Sequence, residues 1–247
     1  ERILKEVGVD ARQYEGAFQR EVIANLERAV AASLAHAQPV THLGLGKGRV
    51  EQVASNRRLL SEDGKVRATR WTTTLDPALR AEPEGTIDPV VSVVSFWNGE
   101  QPLAVLSYYA THPQSYYRTG LPNPDFPGLA RFLRQLAVPA AVHVHFTGAA
   151  GNLGAGKYND GAPENRLRLA ERLAAGMRRA WETTERRPIS PGDVRWTVES
   201  VALPPGKHLS AGALEVVLRG DQGAPPAPSA ASRRSEERRV GKECRSR

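Results

Sequence analysis

Cysteine is almost absent from this chain of 247 residues, which contains a single one, Cys244. That residue lies in a C-terminal run of basic residues, so the sequence before it has no thiol. Disulfide bonds, iron–sulfur clusters, cysteine-ligated zinc and cysteine nucleophiles are therefore excluded upstream of it. A lack of cysteine is compatible both with an extracytoplasmic enzyme without disulfides and with a cytosolic one.

Long apolar runs are also missing. No segment approaches the roughly twenty consecutive apolar residues that a membrane-spanning helix requires. Residues 1–6 contain neither a methionine nor the apolar stretch of a signal peptide. We expect the chain to start inside a longer protein, so its compartment cannot be read from the N terminus.

Basic charge is concentrated at the C terminus. Residues 233–247 hold seven Lys or Arg and three Glu, which accounts for +4 of the formal net charge of +7. This block has no interleaved aromatic residues, which argues against nucleic acid as a partner. Its composition resembles an out-of-frame or vector-derived translation. We predict one folded domain over residues 1–222 and a disordered, non-native tail over residues 223–247, which begins with a Pro/Ala/Ser stretch.

Two β-rich runs, residues 90–97 and 103–109, flank the turn sequence Asn98-Gly99-Glu100-Gln101 and predict an antiparallel hairpin. Residues 126–136 predict a helix, and residues 141–146 predict another strand. The fold class that follows is α/β (mixed α+β), with a mixed β-sheet core flanked by amphipathic helices and incomplete at both ends.

Five other segments have weaker patterns. Residues 11–37 predict an amphipathic helix that packs one face on a core. Residues 43–48 contain three glycines and predict a loop, residues 60–89 predict a mostly irregular connection, and residues 194–203 alternate as a strand does. A helix starting at Pro163 is predicted to bury one face, consisting of Leu167, Ala170, Leu173, Ala174, Met177 and Trp181.

His112 is the first candidate for chemistry. It follows the second strand of the hairpin and precedes Pro113, which places the imidazole at the mouth of a loop. Neutral imidazole is a good zinc ligand, and catalytic zinc needs three protein ligands and one open position. A single histidine is, however, more often a packed, hydrogen-bonded residue than a ligand.

His143 and His145 are two residues apart and point to the same face of the predicted strand. With His112 they offer a three-histidine zinc site. We favour the alternative that they are half-buried and face a helix, because Val142 and its neighbours Val144 and Phe146 take the fully apolar face.

A glycine-rich loop, residues 147–156, follows this strand. The spacing from Gly151 to Lys157 is typical of a phosphate-binding loop, although Tyr158 replaces the Ser or Thr that holds magnesium and the next helix starts only at Pro163. Two other interpretations stand side by side. The loop is either a cluster of N–H donors suited to an oxyanion, with Asn152 as a further donor, or a plain glycine turn.

Three more residues complete the candidates. Asn56 and Arg57 offer an amide and a guanidinium group. Asp125 is predicted mainly to cap the following helix, and the alternative is that it orients His112.

Five segments, in this order, resemble the N-terminal catalytic domain of neutral/alkaline non-lysosomal ceramidases and their shorter bacterial relatives, over roughly residues 10–182. They are Asn56-Arg57, Asp88-Pro89 before the hairpin, Ala110-Thr111-His112-Pro113-Gln114-Ser115, Asp125-Phe126-Pro127-Gly128 and Gly148-Ala149-Ala150-Gly151-Asn152.

The resemblance implies that an amide bond is hydrolysed by water activated on zinc. It implies that His112 is a metal ligand, in the family's Ala-x-His-x-x-Ser context, and that Asn56, Arg57 and Asp125 lie at the substrate. Gly151 and Asn152 match the family's Gly-Asp at the reacting centre.

The family's zinc is held by two His, a Glu and a Tyr, and only His112 has a counterpart here. The family's other His lies in a Thr-His-x-His segment upstream, and its Glu and Tyr lie downstream of the last predicted strand. Asn152 stands where the family has Asp, and Gly154 stands where ceramidases have Ser. Both differences bear on ceramide specificity.

The expected function is therefore that of a ceramidase-like zinc hydrolase acting on a ceramide-like or other lipid amide substrate. The resemblance also implies contact with a membrane surface and an extracytoplasmic or secreted location. We expect this chain alone to be inactive. The alternatives are a phosphate- or nucleotide-binding module built on Gly151 to Lys157, and a non-catalytic protein that keeps the fold.

Overall fold

The computed structural model describes residues 16–116, 120, 122–204 and 212. The chain divides into two units, one of residues 37–195 and one that combines residues 1–36 with residues 196–247. The elements in chain order are α1 (Ala17–Ser33), a 3₁₀ turn (Leu34–His36), β1 (His42–Arg49), β2 (Ser55–Asn56), β3 (Arg58–Leu60), β4 (Val66–Thr69), α2 (Pro77–Ala81), β5 (Val90–Asn98), β6 (Gln101–Tyr109), α3 (Asp125–Ala137), β7 (Val142–Thr147), β8 (Leu153–Gly154), α4 (Glu164–Glu182), β9 (Glu185–Pro188) and a second 3₁₀ turn (Pro191–Asp193).

The predicted hairpin is confirmed and forms the middle of a five-stranded sheet with the order β7-β6-β5-β1-β9. The two-residue connection between β5 and β6 uses Gly99 at φ 55°, a conformation that favours glycine. β1 is antiparallel to β5 and to β9, whereas β7 is parallel to β6. A mixed sheet with flanking helices confirms the predicted fold class.

The loop predicted for residues 43–48 is wrong, because these residues belong to strand β1. Their glycines serve close packing rather than a turn. A Cβ atom on Gly46 would lie 1.9 Å from the carbonyl oxygen of Ala180, and one on Gly48 would lie 2.2 Å from that of Gly176. The backbone of α4 therefore rests directly on β1, an approach that a larger residue on this face of the strand would block.

The core lies between one face of the sheet and the helices α3 and α4, which also pack on each other. The buried face of α4 includes Leu169 and Leu173, both with no exposed surface, and Met177. Leu167, predicted to be buried, is 53% exposed. The rest of the predicted face is confirmed, since Ala170, Leu173, Ala174 and Met177 are buried and Trp181 is partly buried. Leu169 is buried in place of Leu167 because it lies one turn before Leu173, on the same face of the helix.

The orientation predicted for β7 needs a correction. Its apolar residues Val142, Val144 and Phe146 are 62%, 37% and 44% exposed, whereas His143 is only 7% exposed. The histidines do face a helix, as predicted, but on the side of the sheet that α3 and α4 cover. Alternation shows that a strand has two different faces without showing which face the helices cover.

Residues 60–89 are more ordered than predicted. β3 and β4 form a two-stranded ladder, and α2 follows with the side chain of Asp76 accepting a hydrogen bond from the N–H of Ala78 at 2.8 Å. These short elements lie beside the glycine-rich loop, since Lys157 donates to carbonyl groups at the end of α2.

Outside the sheet unit, α1 confirms the predicted helix over residues 17–33 but not its packing. Phe18 is 72% exposed and Leu26 is 61% exposed. The strand predicted for residues 194–203 is not formed, and Trp196 is 92% exposed. Alternation favours a strand only where another strand pairs with it.

Parts of two predictions lie outside the described residues. They are the start of the first helix at residues 11–15 and the tail at residues 223–247. Among the described helices, none is both long and apolar enough to cross a membrane.

Candidate functional site

His112 is held by backbone carbonyl groups of the glycine-rich loop. The backbone N–H of His112 donates to the carbonyl oxygen of Leu153 at 3.2 Å. The ring atom Nδ1 lies 2.7 Å from the carbonyl oxygen of Ala150 and 3.0 Å from that of Leu153. Because a carbonyl oxygen only accepts, Nδ1 must carry the hydrogen, and in the neutral imidazole Nε2 then keeps its lone pair. A metal-binding histidine is oriented by this kind of hydrogen bond.

The sheet explains why the loop meets His112. β6 and β7 are parallel, so their C-terminal ends lie at the same edge, where open α/β sheets place ligands. The N–H of Gly148 donates to the carbonyl oxygen of Tyr109 at 3.0 Å, which joins the loop to the end of β6. At the other end of the loop, β8 pairs with β2, and the hydroxyl of Ser55 donates to the carbonyl oxygen of Gly154 at 3.0 Å.

Asn152 connects the loop to the segment that follows β2. Its Oδ1 accepts from the N–H of Arg58 at 3.2 Å and from Nε of Arg58 at 3.0 Å. Its carbonyl oxygen accepts from the N–H of Arg57 at 2.8 Å. With Oδ1 fixed in this way, the amide nitrogen Nδ2 is the donor that Asn152 can offer. A Cβ atom on the adjacent Gly151 would meet nothing within 4 Å, so the backbone there is open to an approaching group.

Asn56 and Arg57 take different roles. The amide of Asn56 faces the backbone of Thr86, where it can donate to the carbonyl oxygen at 2.7 Å and accept from the N–H at 3.1 Å. This places Asn56 as a support of the turn at residues 84–86. The guanidinium of Arg57 lies 5.6 Å above the ring of Trp71, which is 50% exposed, and its stem lies against Gly154. Arg57 and Trp71 thus form a partly exposed cationic and aromatic surface beside the loop.

Asp125 anchors the turn after His112 and not the imidazole itself. Its Oδ1 accepts from the N–H and the hydroxyl of Ser115 at 2.9 and 2.6 Å and from the N–H of Phe126 at 2.7 Å. Its Oδ2 accepts from the N–H of Tyr116 at 2.9 Å. The prediction that Asp125 is the cap before the helix is wrong, because Asp125 is the first residue of α3. The alternative that it orients His112 is also wrong, because backbone carbonyl groups hold Nδ1 of that residue. A buried carboxylate with four donors has little capacity left for a substrate.

Lys157 does not point into the loop as a phosphate-binding lysine would. Its ammonium group donates to three carbonyl oxygens at the end of α2, those of Arg80, Ala81 and Glu82, at 2.8, 3.3 and 2.6 Å. The charge predicted for phosphate is used to cap a helix C terminus. The geometry therefore argues against the nucleotide-binding alternative.

Arg70, which no sequence pattern indicated as a site residue, is fully buried. Its guanidinium donates to five backbone carbonyl oxygens, those of Asn56, Leu79, Glu82, Pro83 and Glu84, at 3.0 to 3.3 Å. Burial lowers the pKa of Arg70, and the nearby acidic groups of Tyr158, Glu82 and Glu84 oppose this shift. Nothing in the sequence around Arg70 distinguishes it from a surface arginine.

The residues after Lys157 are fixed as well. The hydroxyl of Tyr158 donates to Glu84, and burial together with this hydrogen bond raises the pKa of Tyr158. Asp160 pairs with Arg80 at 3.0 Å. Residues 157–163, which separate the glycine-rich loop from α4, thus form a second connection to the α2 segment.

The three-histidine zinc site is not formed. In the region that the structure describes, no three or more His, Cys, Asp or Glu side chains come together as a metal site. His143 and His145 face α3 and α4, and burial lowers the pKa of His145 to about 4.

Solved structures that resemble parts of the fold include two ceramidases. No protein-family model and no curated protein matches the chain. A neutral ceramidase from Pseudomonas aeruginosa is 23% identical over 63% of this chain and 24% of its own, with a TM-score of 0.44. A ceramidase complexed with C2 is 22% identical over 59% of this chain and 22% of its own, with a TM-score of 0.41. The chain spans about a quarter of the length of these structures.

Proposed function

We propose that this chain is part of a ceramidase-like zinc hydrolase that cleaves an amide bond in a lipid or a related substrate. The observation that carries the proposal is the hydrogen bonding of His112. Two loop carbonyl groups fix its Nδ1–H, so that Nε2 is available as a ligand at the edge of the sheet. The resemblance of the residue pattern to the ceramidase family supports the proposal, because it implies a zinc ligand at this same position.

The residues fit a zinc ion in part. His112 supplies one ligand in the correct tautomer, and the remaining ligands that the family resemblance implies have no counterpart among the described residues. When bound, zinc would polarise the amide carbonyl and lower the pKa of a water molecule. The expected zinc affinity of this chain alone is weak, because one imidazole is a small part of a tetrahedral site.

The loop beside His112 would stabilise the negative charge that develops on the amide oxygen. The open backbone at Gly151 and the amide Nδ2 of Asn152 are the donors, and Arg58 holds Asn152 in place. Arg57 and Trp71 would contact the substrate next to the scissile bond. The guanidinium of Arg57 would bind polar groups, and the ring of Trp71 would pack against an acyl chain.

Hydrolysis of a fluorescent N-acylsphingosine and of an N-acyl amino acid by the complete gene product tests this proposal. His112→Ala should abolish activity and lower the zinc content measured by atomic emission, whereas His36→Ala, at an exposed histidine, should change neither. Asn152→Ala should lower kcat by about 10²-fold or more, the effect of losing an oxyanion donor. Full activity in His112→Ala would contradict the proposal.

A further inference from the structure

Arg57 is a half-buried cation beside the glycine-rich loop. Among the described residues, its guanidinium has no hydrogen-bond partner and no carboxylate within ion-pair distance. It lies over the ring of Trp71, whose centroid is 5.6 Å from Cζ of Arg57. An ion pair made by a partly buried cation is stronger than one at full exposure, because the effective dielectric constant is lower. The guanidinium of Arg57 is therefore open to an anionic group of a ligand.

The backbone of Arg57 is fixed on both sides. Its N–H donates to the carbonyl oxygen of Asn152 at 2.8 Å, and its carbonyl oxygen accepts from the N–H of Arg70 at 2.7 Å. The segment that contains Arg70 is joined in turn to the residues after the candidate metal ligand, because the hydroxyl of Thr72 donates to Oε1 of Gln114 at 2.8 Å. The backbone that carries the guanidinium is thus tied to both the loop and this turn. A charge on a pre-organised backbone loses less conformational entropy when a ligand binds.

Other charged groups around the loop are already engaged. The ammonium group of Lys157 and the guanidinium of Arg70 both donate to backbone carbonyl groups. Asn152, beside Arg57, is a neutral amide and adds no negative charge. The nearby carboxylates have other partners: Glu82 pairs with Arg67, Glu84 accepts from Tyr158, Asp160 pairs with Arg80, and Asp125 accepts four hydrogen bonds. Arg57 thus offers a single half-buried positive charge, which matches a carboxylate better than a doubly charged phosphate.

We propose that the substrate is an N-acyl amino acid whose carboxylate is bound by the guanidinium of Arg57. This substrate class rests on the proposed hydrolase function. A guanidinium binds a carboxylate through two parallel N–H···O bonds, which a neutral headgroup of hydroxyls cannot reproduce. Hydrolysis breaks the amide C–N bond and forms a C–O bond with one water molecule. The products are a fatty acid and an amino acid, whose nitrogen takes up a proton.

Hydrolysis of two matched substrates by the complete gene product tests this assignment. N-dodecanoylglycine carries the carboxylate, and N-dodecanoylethanolamine has a neutral hydroxyl group in its place. We expect the wild-type kcat/KM to be about 30-fold higher, or more, for the glycine conjugate. Arg57→Met should reduce this ratio to about 1, mainly through the KM of the glycine conjugate, and Arg57→Lys should retain part of it because it keeps the charge without the planar fork. Arg168→Met removes an exposed arginine of α4 and should leave the ratio unchanged.

Failure of this substrate class and failure of the hydrolase proposal give different results. Equal efficiency with both substrates, or a preference that Arg57→Met retains, would overturn the substrate class and leave the hydrolase proposal standing. A preference for N-dodecanoylethanolamine phosphate over the glycine conjugate would also overturn it, in favour of a phosphate group.

If neither substrate is hydrolysed, the hydrolase proposal fails, and isothermal titration of both compounds into the wild type and Arg57→Met then decides whether the carboxylate is recognised. Binding of N-dodecanoylglycine that Arg57→Met abolishes would support recognition by Arg57. Equal binding of the two compounds, or no binding of either, would overturn it.

Discussion

Nδ1 of His112 lies 2.7 Å from the carbonyl oxygen of Ala150, so a residue that follows one strand is oriented by the loop that follows the next. The same loop continues into Asn152, which Arg58 fixes from the opposite side. The candidate site is therefore a set of backbone contacts between two adjacent strand ends. Substitutions that disturb the loop backbone should affect it more than changes of exposed side chains.

Serine should be tolerated at Gly154 but should destabilise the protein at Gly156. A Cβ atom on Gly154 would be 3.8 Å from the stem of Arg57, an ordinary contact, whereas one on Gly156 would be 1.9 Å from the carbonyl oxygen of Trp71. Gly154→Ser should change the free energy of unfolding by less than about 0.5 kcal/mol, and Gly156→Ser should lower it by about 2 to 3 kcal/mol. Urea unfolding monitored by circular dichroism measures both, and similar values for the two variants would contradict the loop geometry.

Gly46→Ala should destabilise the sheet unit strongly. The added methyl group would overlap the backbone of α4 at Ala180, and neither backbone can move without opening the core. We expect a loss of about 3 kcal/mol or more. Gly192→Ala is the matched control, since its nearest neighbour atom would be 3.7 Å away. If both variants unfold at the same urea concentration, α4 does not rest on β1 as described.

Lys157→Met should reduce stability without a loss of phosphate binding. The ammonium group satisfies three carbonyl oxygens at the end of α2, so its removal should cost about 1 to 3 kcal/mol. Lys65→Met, at a lysine whose side chain is 84% exposed, should cost almost nothing. Isothermal titration with ATP should show no binding in the wild type. Binding of ATP that Lys157→Met abolishes would restore the nucleotide-binding alternative.

The stability should fall in acid because of His145. Burial lowers its pKa in the folded protein from 6.5 to about 4. Between these values the unfolded chain binds a proton that the folded chain does not, so this contribution is complete above pH 6.5 and is lost as the pH falls toward 4. The slope approaches about 1.4 kcal/mol per pH unit. His145→Gln should flatten the profile of unfolding free energy against pH, and exposed His36→Gln should not. An unchanged slope in His145→Gln would mean that His145 titrates normally.

Local patterns predicted the parts of the fold that depend on neighbours in sequence. The turn at Gly99 and the alternation on either side of it specify the hairpin, and the spacing of apolar residues specifies α4. The same patterns failed where packing against an element distant in sequence determines the structure. The glycines of β1 resemble a loop until α4 is packed on them, and the faces of β7 are equivalent until α3 covers one.

The residues of the candidate site also fall into those that local patterns predict and those that they do not. His112 and the loop were predictable, because each follows a strand and such ends meet at one edge of a parallel pair. The role of Asp125 was not, because its partners Ser115 and Tyr116 precede it in a turn without a signature. Arg70 was not predictable either, since its five acceptors are backbone groups, which no sequence pattern identifies.

The tautomer of His112 tests the central claim most directly. A long-range ¹H–¹⁵N correlation spectrum, with His112→Ala for assignment, distinguishes protonated from unprotonated ring nitrogens at neutral pH. We predict a hydrogen on Nδ1 and a free Nε2 whose signal shifts when zinc is added. A hydrogen on Nε2, or an imidazole that does not respond to zinc, would contradict the proposal that His112 is a metal ligand.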